Sequence, residues 1–253
     1  GKRLLINNTT GSFNVTMGSD VLAFTQTGSN NTAIGYMAGF GVSTNSFSSN
    51  SLFGFKTGYA LTTGSNNILL GYQAGNDITT GANNIIIGYD IDAPSATGSN
   101  QLNIGNLIFA TGVDGTGTTL STGKVGIGTT SPGAKLEVIG AGTTSATASL
   151  NVKNSALTSV LYVRDDGNVG IGTTSPTVKL HVVNNETGGG YKNLARFAHQ
   201  GDNLGYFDIT VSGTDYRGTK MMTYEGAYQP TGIEFSAPGE RIGFWIAGVE
   251  KHR

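Results

Sequence analysis

Asn84-Ile85-Ile86-Ile87-Gly88-Tyr89 decides the fold, because it is one copy of a pattern that keeps returning. Ile34-Gly35-Tyr36, Phe53-Gly54-Phe55, Leu70-Gly71-Tyr72 and Ile87-Gly88-Tyr89 each place an apolar residue, a glycine and an aromatic in that order. The step from Gly54 to Gly71, to Gly88 and to Gly105 is 17 residues each time; from Gly35 to Gly54 it is 19, a two-residue insertion. Gly18 extends the series back by one degenerate copy. The lead-in recurs too, as Thr27-Gly28-Ser29-Asn30-Asn31, Thr63-Gly64-Ser65-Asn66-Asn67, Thr80-Gly81-Ala82-Asn83-Asn84 and Thr97-Gly98-Ser99-Asn100-Gln101. A fixed short period of this kind is the signature of stacked repeats.

One copy is too short to bury its own apolar triplet, since 17 residues at about 3.3 Å each give two short strands and two turns. Stacking copies at a strand spacing of about 4.8 Å turns each position into a column. The expected columnar core is Ile34, Phe53, Leu70, Ile87 and Ile104. Glycine at the corner allows positive φ or close backbone approach, and asparagine tolerates the left-handed region and stacks as an amide ladder. A disordered Gly/Ser/Asn/Thr linker is the alternative that this composition usually means. It leaves the phased β-branched and aromatic positions without a cause.

Composition points the same way. The 253 residues include 40 glycines and no cysteine, and 12% are charged, against roughly 7% glycine and 25% charge in ordinary globular chains. A net charge of −1 gives no basic surface for nucleic acid. No apolar run approaches the roughly 20 residues of a membrane span, and Gly1-Lys2-Arg3-Leu4-Leu5-Ile6 is too short for a signal peptide. Lack of cysteine excludes a disulfide scaffold and leaves the compartment open. Charge is uneven: residues 1–121 carry Lys2, Arg3, Asp20, Lys56, Asp77, Asp90, Asp92 and Asp114, whereas residues 185–253 carry fifteen charged side chains.

Four regions follow. Residues 1–27, with strand-like runs at Leu4-Leu5-Ile6 and Val21-Leu22-Ala23-Phe24, read as irregular entry coils. Residues 28–121 are the β-roll, ending in the turn-rich Thr111 to Thr119. Residues 122–184 hold a second repeat: Gly123-Lys124-Val125-Gly126-Ile127-Gly128-Thr129-Thr130-Ser131-Pro132 returns 44 residues later as Gly167-Asn168-Val169-Gly170-Ile171-Gly172-Thr173-Thr174-Ser175-Pro176. Lys135-Leu136-Glu137-Val138 and Lys179-Leu180-His181-Val182 follow them. Alternation puts Val125, Ile127, Val169 and Ile171 on a core face and glycines on the other, where another backbone can approach; Pro132 and Pro176 end the strands. Ala148 to Val152 and Val160 to Val163 read as strands, joined to the second copy by a turn at Asp165-Asp166-Gly167-Asn168. Residues 185–253 alternate as half-buried strands at Tyr206 to Val211 and Gly232 to Ser236, with further strands at Gly243 to Gly248 and Asn193 to Ala198. They suggest a small β-sandwich, prism or further shaft domain.

The Gly167 to Val182 sequence resembles the linker module of bacteriophage tail fibres and related phage-derived surface fibres. The Asn30 to Gly39 and Asn66 to Gly75 coils are similar to the β-roll heads of trimeric surface adhesins. Together the likenesses span roughly residues 28–184. The resemblance implies an all-β, elongated homotrimeric fibre of a virion tail or extracellular cell-surface appendage. Its implied partners are a host-surface glycan or protein receptor and other fibre or baseplate proteins. Such fibres are often followed by an autocleaving chaperone, which these residues do not contain.

Candidate chemistry is sparse. His181, His199 and His252 lack metal-ligand spacing, and His181 alternates with Leu180 and Val182, toward solvent or a neighbouring chain. Asp90 with Asp92, and Asp165 with Asp166, could be glycosidic carboxylate dyads, but neighbours in turns do not make the separated pair in a cleft that such chemistry requires. Gly126-Ile127-Gly128 and Gly170-Ile171-Gly172 lack the Gly-Lys-Ser/Thr of a phosphate loop. No catalytic residue, cofactor or metal is expected. Tyr206, Tyr216, Tyr224, Tyr228 and Trp245 are candidate receptor contacts. Two other classes stand against the fibre: a tailspike-like polysaccharide depolymerase, and a monomeric β-solenoid binder (ice-binding or amyloid-like) for which the Thr63/Thr80/Thr97 recurrence would serve as a flat hydroxyl ladder.

Overall fold

The computed structural model describes residues 2–41 and 45–183 and, between 191 and 251, the backbone of six strands. The described residues are all-β, without a helix. They fall into two compact units, 1–141 and 142–253, so the two Gly-Ile-Gly-Thr-Thr-Ser-Pro modules lie in different units.

The first unit is a β-solenoid. Six three-residue strands stack in parallel: β1 (Val15–Met17), β2 (Thr32–Ile34), β3 (Ser51–Phe53), β4 (Ile68–Leu70), β5 (Ile85–Ile87) and β6 (Leu102–Ile104). Register follows the sequence period, Leu52↔Leu69↔Ile86↔Asn103. In a three-residue strand the outer two side chains share a face and the middle one takes the other. Ala33, Leu52, Leu69 and Ile86 are the inward column and are fully buried. The expected column of Ile34, Phe53, Leu70, Ile87 and Ile104 is therefore one residue out of phase: Leu70 is 46% and Phe53 37% exposed. Val21, Ala38, Phe47, Leu61, Ala74, Ile78 and Ile91 complete the interior from the corners.

Each consecutive asparagine pair divides two tasks. The first member sits in the left-handed region, φ 61° at Asn30, 60° at Asn66 and 59° at Asn83. The second forms a buried ladder: the Asn67 N–H donates to Oδ1 of Asn50 (2.9 Å), the Asn84 N–H to Oδ1 of Asn67 (2.9 Å) and the Gln101 N–H to Oδ1 of Asn84 (2.9 Å). Each amide Nδ2 also donates to a backbone carbonyl of the next coil, as Asn67 does to Gly81 (3.0 Å). Gly71 shows why the corner needs glycine: its φ is +132° and a Cβ would lie 2.0 Å from the Gly88 carbonyl oxygen.

The runs Leu4-Leu5-Ile6 and Val21-Leu22-Ala23-Phe24 are corners, not strands. Leu5 and Leu22 have φ of 46° and 48°, and Val21, Leu22 and Ala23 are fully buried. Apolar content alone does not separate a buried corner from a short strand.

The stack ends at β6. Asn103 replaces the apolar middle residue, and its Nδ2 donates to the Asp92 carbonyl and to Oδ1 of Asn106 (both 2.7 Å). Gly105 and Asn106, φ 60° and 55°, turn the chain into β7 (Ile108–Thr111), which runs antiparallel to β6. β8 (Lys124–Ile127) pairs antiparallel to β7, and β9 (Leu136–Val138) parallel to β8.

In the second unit, β10 (Ala148–Lys153), β11 (Ser159–Arg164), β12 (Val169–Ile171) and β13 (Leu180–Val182) form a four-stranded sheet. β12 and β13 pair in parallel as β8 and β9 do. Gly126 and Gly170 occupy equivalent buried positions, where a Cβ would lie 2.4 Å from the Thr129 oxygen and 2.3 Å from that of Thr173. These are close backbone contacts, as the glycine face implies. A six-stranded antiparallel meander follows: β14 (Tyr191–Ala198), β15 (Tyr206–Ser212), β16 (Gly218–Glu225), β17 (Gln229–Ser236), β18 (Ile242–Ile246) and β19 (Val249–Lys251). The segment from Asn193 to Ala198 lies in strand β14.

Candidate functional site

The most distinctive surface of the solenoid is the outer face of β1–β6. Its two columns are Val15, Thr32, Ser51, Ile68, Ile85, Leu102 and Met17, Ile34, Phe53, Leu70, Ile87, Ile104. Met17 is 67% exposed and Ile68 47%. None of the eighteen strand residues is charged. A parallel sheet is ordinarily covered on both faces, and here the interior covers one.

An aromatic ladder runs beside this face. The residue after each corner glycine supplies a ring: Tyr36–Phe55 centroids are 5.7 Å apart, Phe55–Tyr72 5.0 Å and Tyr72–Tyr89 5.0 Å, all stacked. A second series joins Phe24, Phe40 and Tyr59 at 5.0 and 5.2 Å. The Lys56 ammonium lies 5.5 Å from the Phe55 ring and 5.4 Å from that of Tyr59, bridging the two. Ring-on-ring stacking occupies the faces of the inner rings, so the ladder presents edges outward. Tyr89, 76% exposed, ends it.

The end of the stack holds the acidic corner. A cavity of about 390 Å³ is lined by Asp90, Asp92, Ala93, Pro94, Asn103, Asn106, Phe109 and Thr130. Beside it Asp77 has a buried Oδ1 without a hydrogen-bond partner. Burial, and then the neighbouring Asp92 carboxylate, push the Asp77 carboxyl up to about 6. Sequence reasoning singled out Asp90 and Asp92 and missed Asp77. The clue was the stack itself, because residues about one coil apart become neighbours.

Asp165 and Asp166 serve their turn. Asp166 is ion-paired with Arg164, which holds its carboxyl below the usual range. Asp165 is held low chiefly by the Thr147 hydroxyl, and its Oδ2 accepts from the Gly142 N–H (3.1 Å). Both favour the ionised form, so neither is tuned as a general acid. Among the described residues, no group of three or more His, Asp or Glu could hold a metal ion, and no helix is long and apolar enough to cross a membrane.

The module positions Val125 and Ile171 are 39% and 43% exposed, and Ile127 and Val169 are half-buried. None of the four is fully buried within its own chain. Of the candidate receptor aromatics, Tyr206 and Tyr224 pair across β15 and β16, and Trp245 pairs with Gly232. Tyr216 and Tyr228, like His199 and His252, lie outside the described residues. No protein-family model, curated protein or solved structure matches the chain.

Proposed function

We propose that this chain is a structural element of a fibre, of a phage tail or another extracellular appendage, that assembles as a homotrimer and attaches to a host-cell surface. One observation carries the reading: the uncharged outer face of β1–β6, apolar except at Thr32 and Ser51. A contiguous exposed apolar surface on a parallel sheet marks a site of association. The occupant with matching chemistry and period is the same face of another copy. In this assembly Ile34, Phe53, Leu70, Ile87 and Ile104 are the shared core between chains. Val125 and Ile127 in the first unit, and Val169 and Ile171 in the second, are further residues proposed to meet other copies of the chain. Three receptor-binding surfaces on one fibre then convert weak contacts into lasting attachment. The chain is read as a binder, with no catalytic role.

Light scattering on the intact chain tests the assembly. Three times the 26.1 kDa chain supports the reading, and a clean monomer overturns it. A second reading, the lone solenoid binder, has its own observation: Thr27, Ser46, Thr63, Thr80 and Thr97 form an exposed hydroxyl column. The Thr27 and Ser46 hydroxyls are 2.6 Å apart and satisfy one another, which weakens that column as a surface for ordered water. A monomer that depresses the freezing point would favour it.

A further inference from the structure

The two Gly-Ile-Gly-Thr-Thr-Ser-Pro modules share their backbone hydrogen bonds and differ in the side chains that lock their loops, Lys124 Nζ donating to the Gly133 carbonyl in the first and Asn168 Nδ2 to the Pro176 carbonyl in the second. The Val125 N–H donates to the Lys135 carbonyl at 2.9 Å, and the Val169 N–H to the Lys179 carbonyl at 2.8 Å. The Ser131 N–H donates to the Thr129 hydroxyl oxygen, and the Ser175 N–H to that of Thr173. Pro132 and Pro176 are both buried. In the first module the Gly133 N–H then donates to Oε2 of Glu137 at 2.6 Å. In the second, the Thr177 N–H donates to Nδ1 of His181 at 3.4 Å. Both acceptors stand four residues beyond the donor and opposite a glycine, Glu137 against Gly126 and His181 against Gly170.

A carboxylate and an imidazole close a loop under different conditions. Nδ1 accepts a hydrogen bond only while its lone pair is free; in the imidazolium both ring nitrogens are donors. Histidine is the side chain whose charge ordinarily changes between about pH 5 and 8. We propose that His181 is a pH-sensitive latch: its protonation opens the loop at residues 172–179 while Glu137 keeps the loop at 128–135 shut. The second module thereby becomes an acid-responsive joint.

Among the described residues, no carboxylate is hydrogen-bonded to or ion-paired with the His181 ring. Among the described strands β13 is paired with β12 alone, and Val169-Gly170-Ile171 carry no charge. Asp166 is ion-paired with Arg164, and Oδ2 of Asp165 accepts from the Gly142 N–H. Lys179 donates to the Asp166 carbonyl at 3.0 Å and adds a like charge at the loop's end. Thr177 is exposed, so water replaces the lost acceptor and the loop loosens without unfolding the sheet.

Amide hydrogen exchange on the full chain at pH 7.5 and 5.5, corrected for the intrinsic pH dependence of exchange, tests this. Protection at Thr177 should fall about fivefold on acidification, the equivalent of one ordinary hydrogen bond, with Gly133 unchanged. His181→Glu should abolish the response, and Glu137→His should transfer it to Gly133. Should His181→Glu fail to fold, His181→Gln supplies a pH-insensitive acceptor for the same comparison. Equal behaviour of the two amides, or a response that survives at Thr177 in the folded His181 variant, would overturn the latch.

Discussion

Single residues in this chain act according to which neighbour in the coil they are. Asn66 and Asn67 are adjacent and chemically identical, yet Asn66 serves a backbone conformation and Asn67 a buried rung. Asn66→Gly should be close to neutral, because glycine adopts the φ of 60° without a side-chain penalty. Asn67→Gly removes the acceptor of the Asn84 N–H and the donors to Asn50 and Gly81. Leaving such buried groups unpaired should cost roughly 3 kcal/mol, read by calorimetry as a fall in Tm against the Asn66 variant. Asp77 gives a prediction of opposite sense. Its folded-state value of about 6 is above the ordinary 3.8, so the folded chain binds that proton more tightly. The associated stability is complete below about pH 4 and lost as pH rises through about 6. Asp77→Asn should raise Tm at pH 7 and flatten the profile between these limits; an unchanged profile would show that burial does not strain this carboxyl. Asp165 and Asp166, held low, contribute with the reverse sign, losing stability as pH falls.

At the scale of elements, the period of the stack was legible and its parity was not. Gly54, Gly71 and Gly88 fix the 17-residue step, and the observed register follows it strand by strand. Yet Ile85-Ile86-Ile87 offers three apolar side chains for two faces, and nothing within that triplet says which one turns inward. The cue lay in the irregular copies: Ala33 and Asn103 occupy middle positions, where a narrow interior takes a small residue and a satisfied amide closes the column. The Asp77 corner was legible only once the coils were stacked, because its partner Asp92 belongs to the next coil. The glycine face of the modules was legible, since only glycine fits a strand against a returning loop. Gly71→Ala tests the corner directly. With φ at +132° and a Cβ 2.0 Å from the Gly88 oxygen, the change strains the backbone and forces two coils apart. A loss of about 2 kcal/mol or more is expected, measured by denaturant unfolding, and a neutral result would mean that the coils are not in close contact there.

For the molecule as a whole, the two faces of one strand separate folding from assembly. Ile86 is fully buried within its own chain, whereas Ile87 stands on the outer face that the proposed trimer covers. Ile86→Asp buries an unpaired charge inside the solenoid, a cost of several kcal/mol that the coils cannot absorb. It should give chains without the far-UV signature of the parent. Ile87→Asp leaves the solenoid interior intact and places three carboxylates close together in the trimer. Its expected product is a folded chain whose mass in solution drops from three times 26.1 kDa to one. Mass and circular dichroism on this pair of variants read the two levels independently. A folded Ile87→Asp protein that keeps the parental mass would remove the outer face of β1–β6 from the interface and leave association to the second unit.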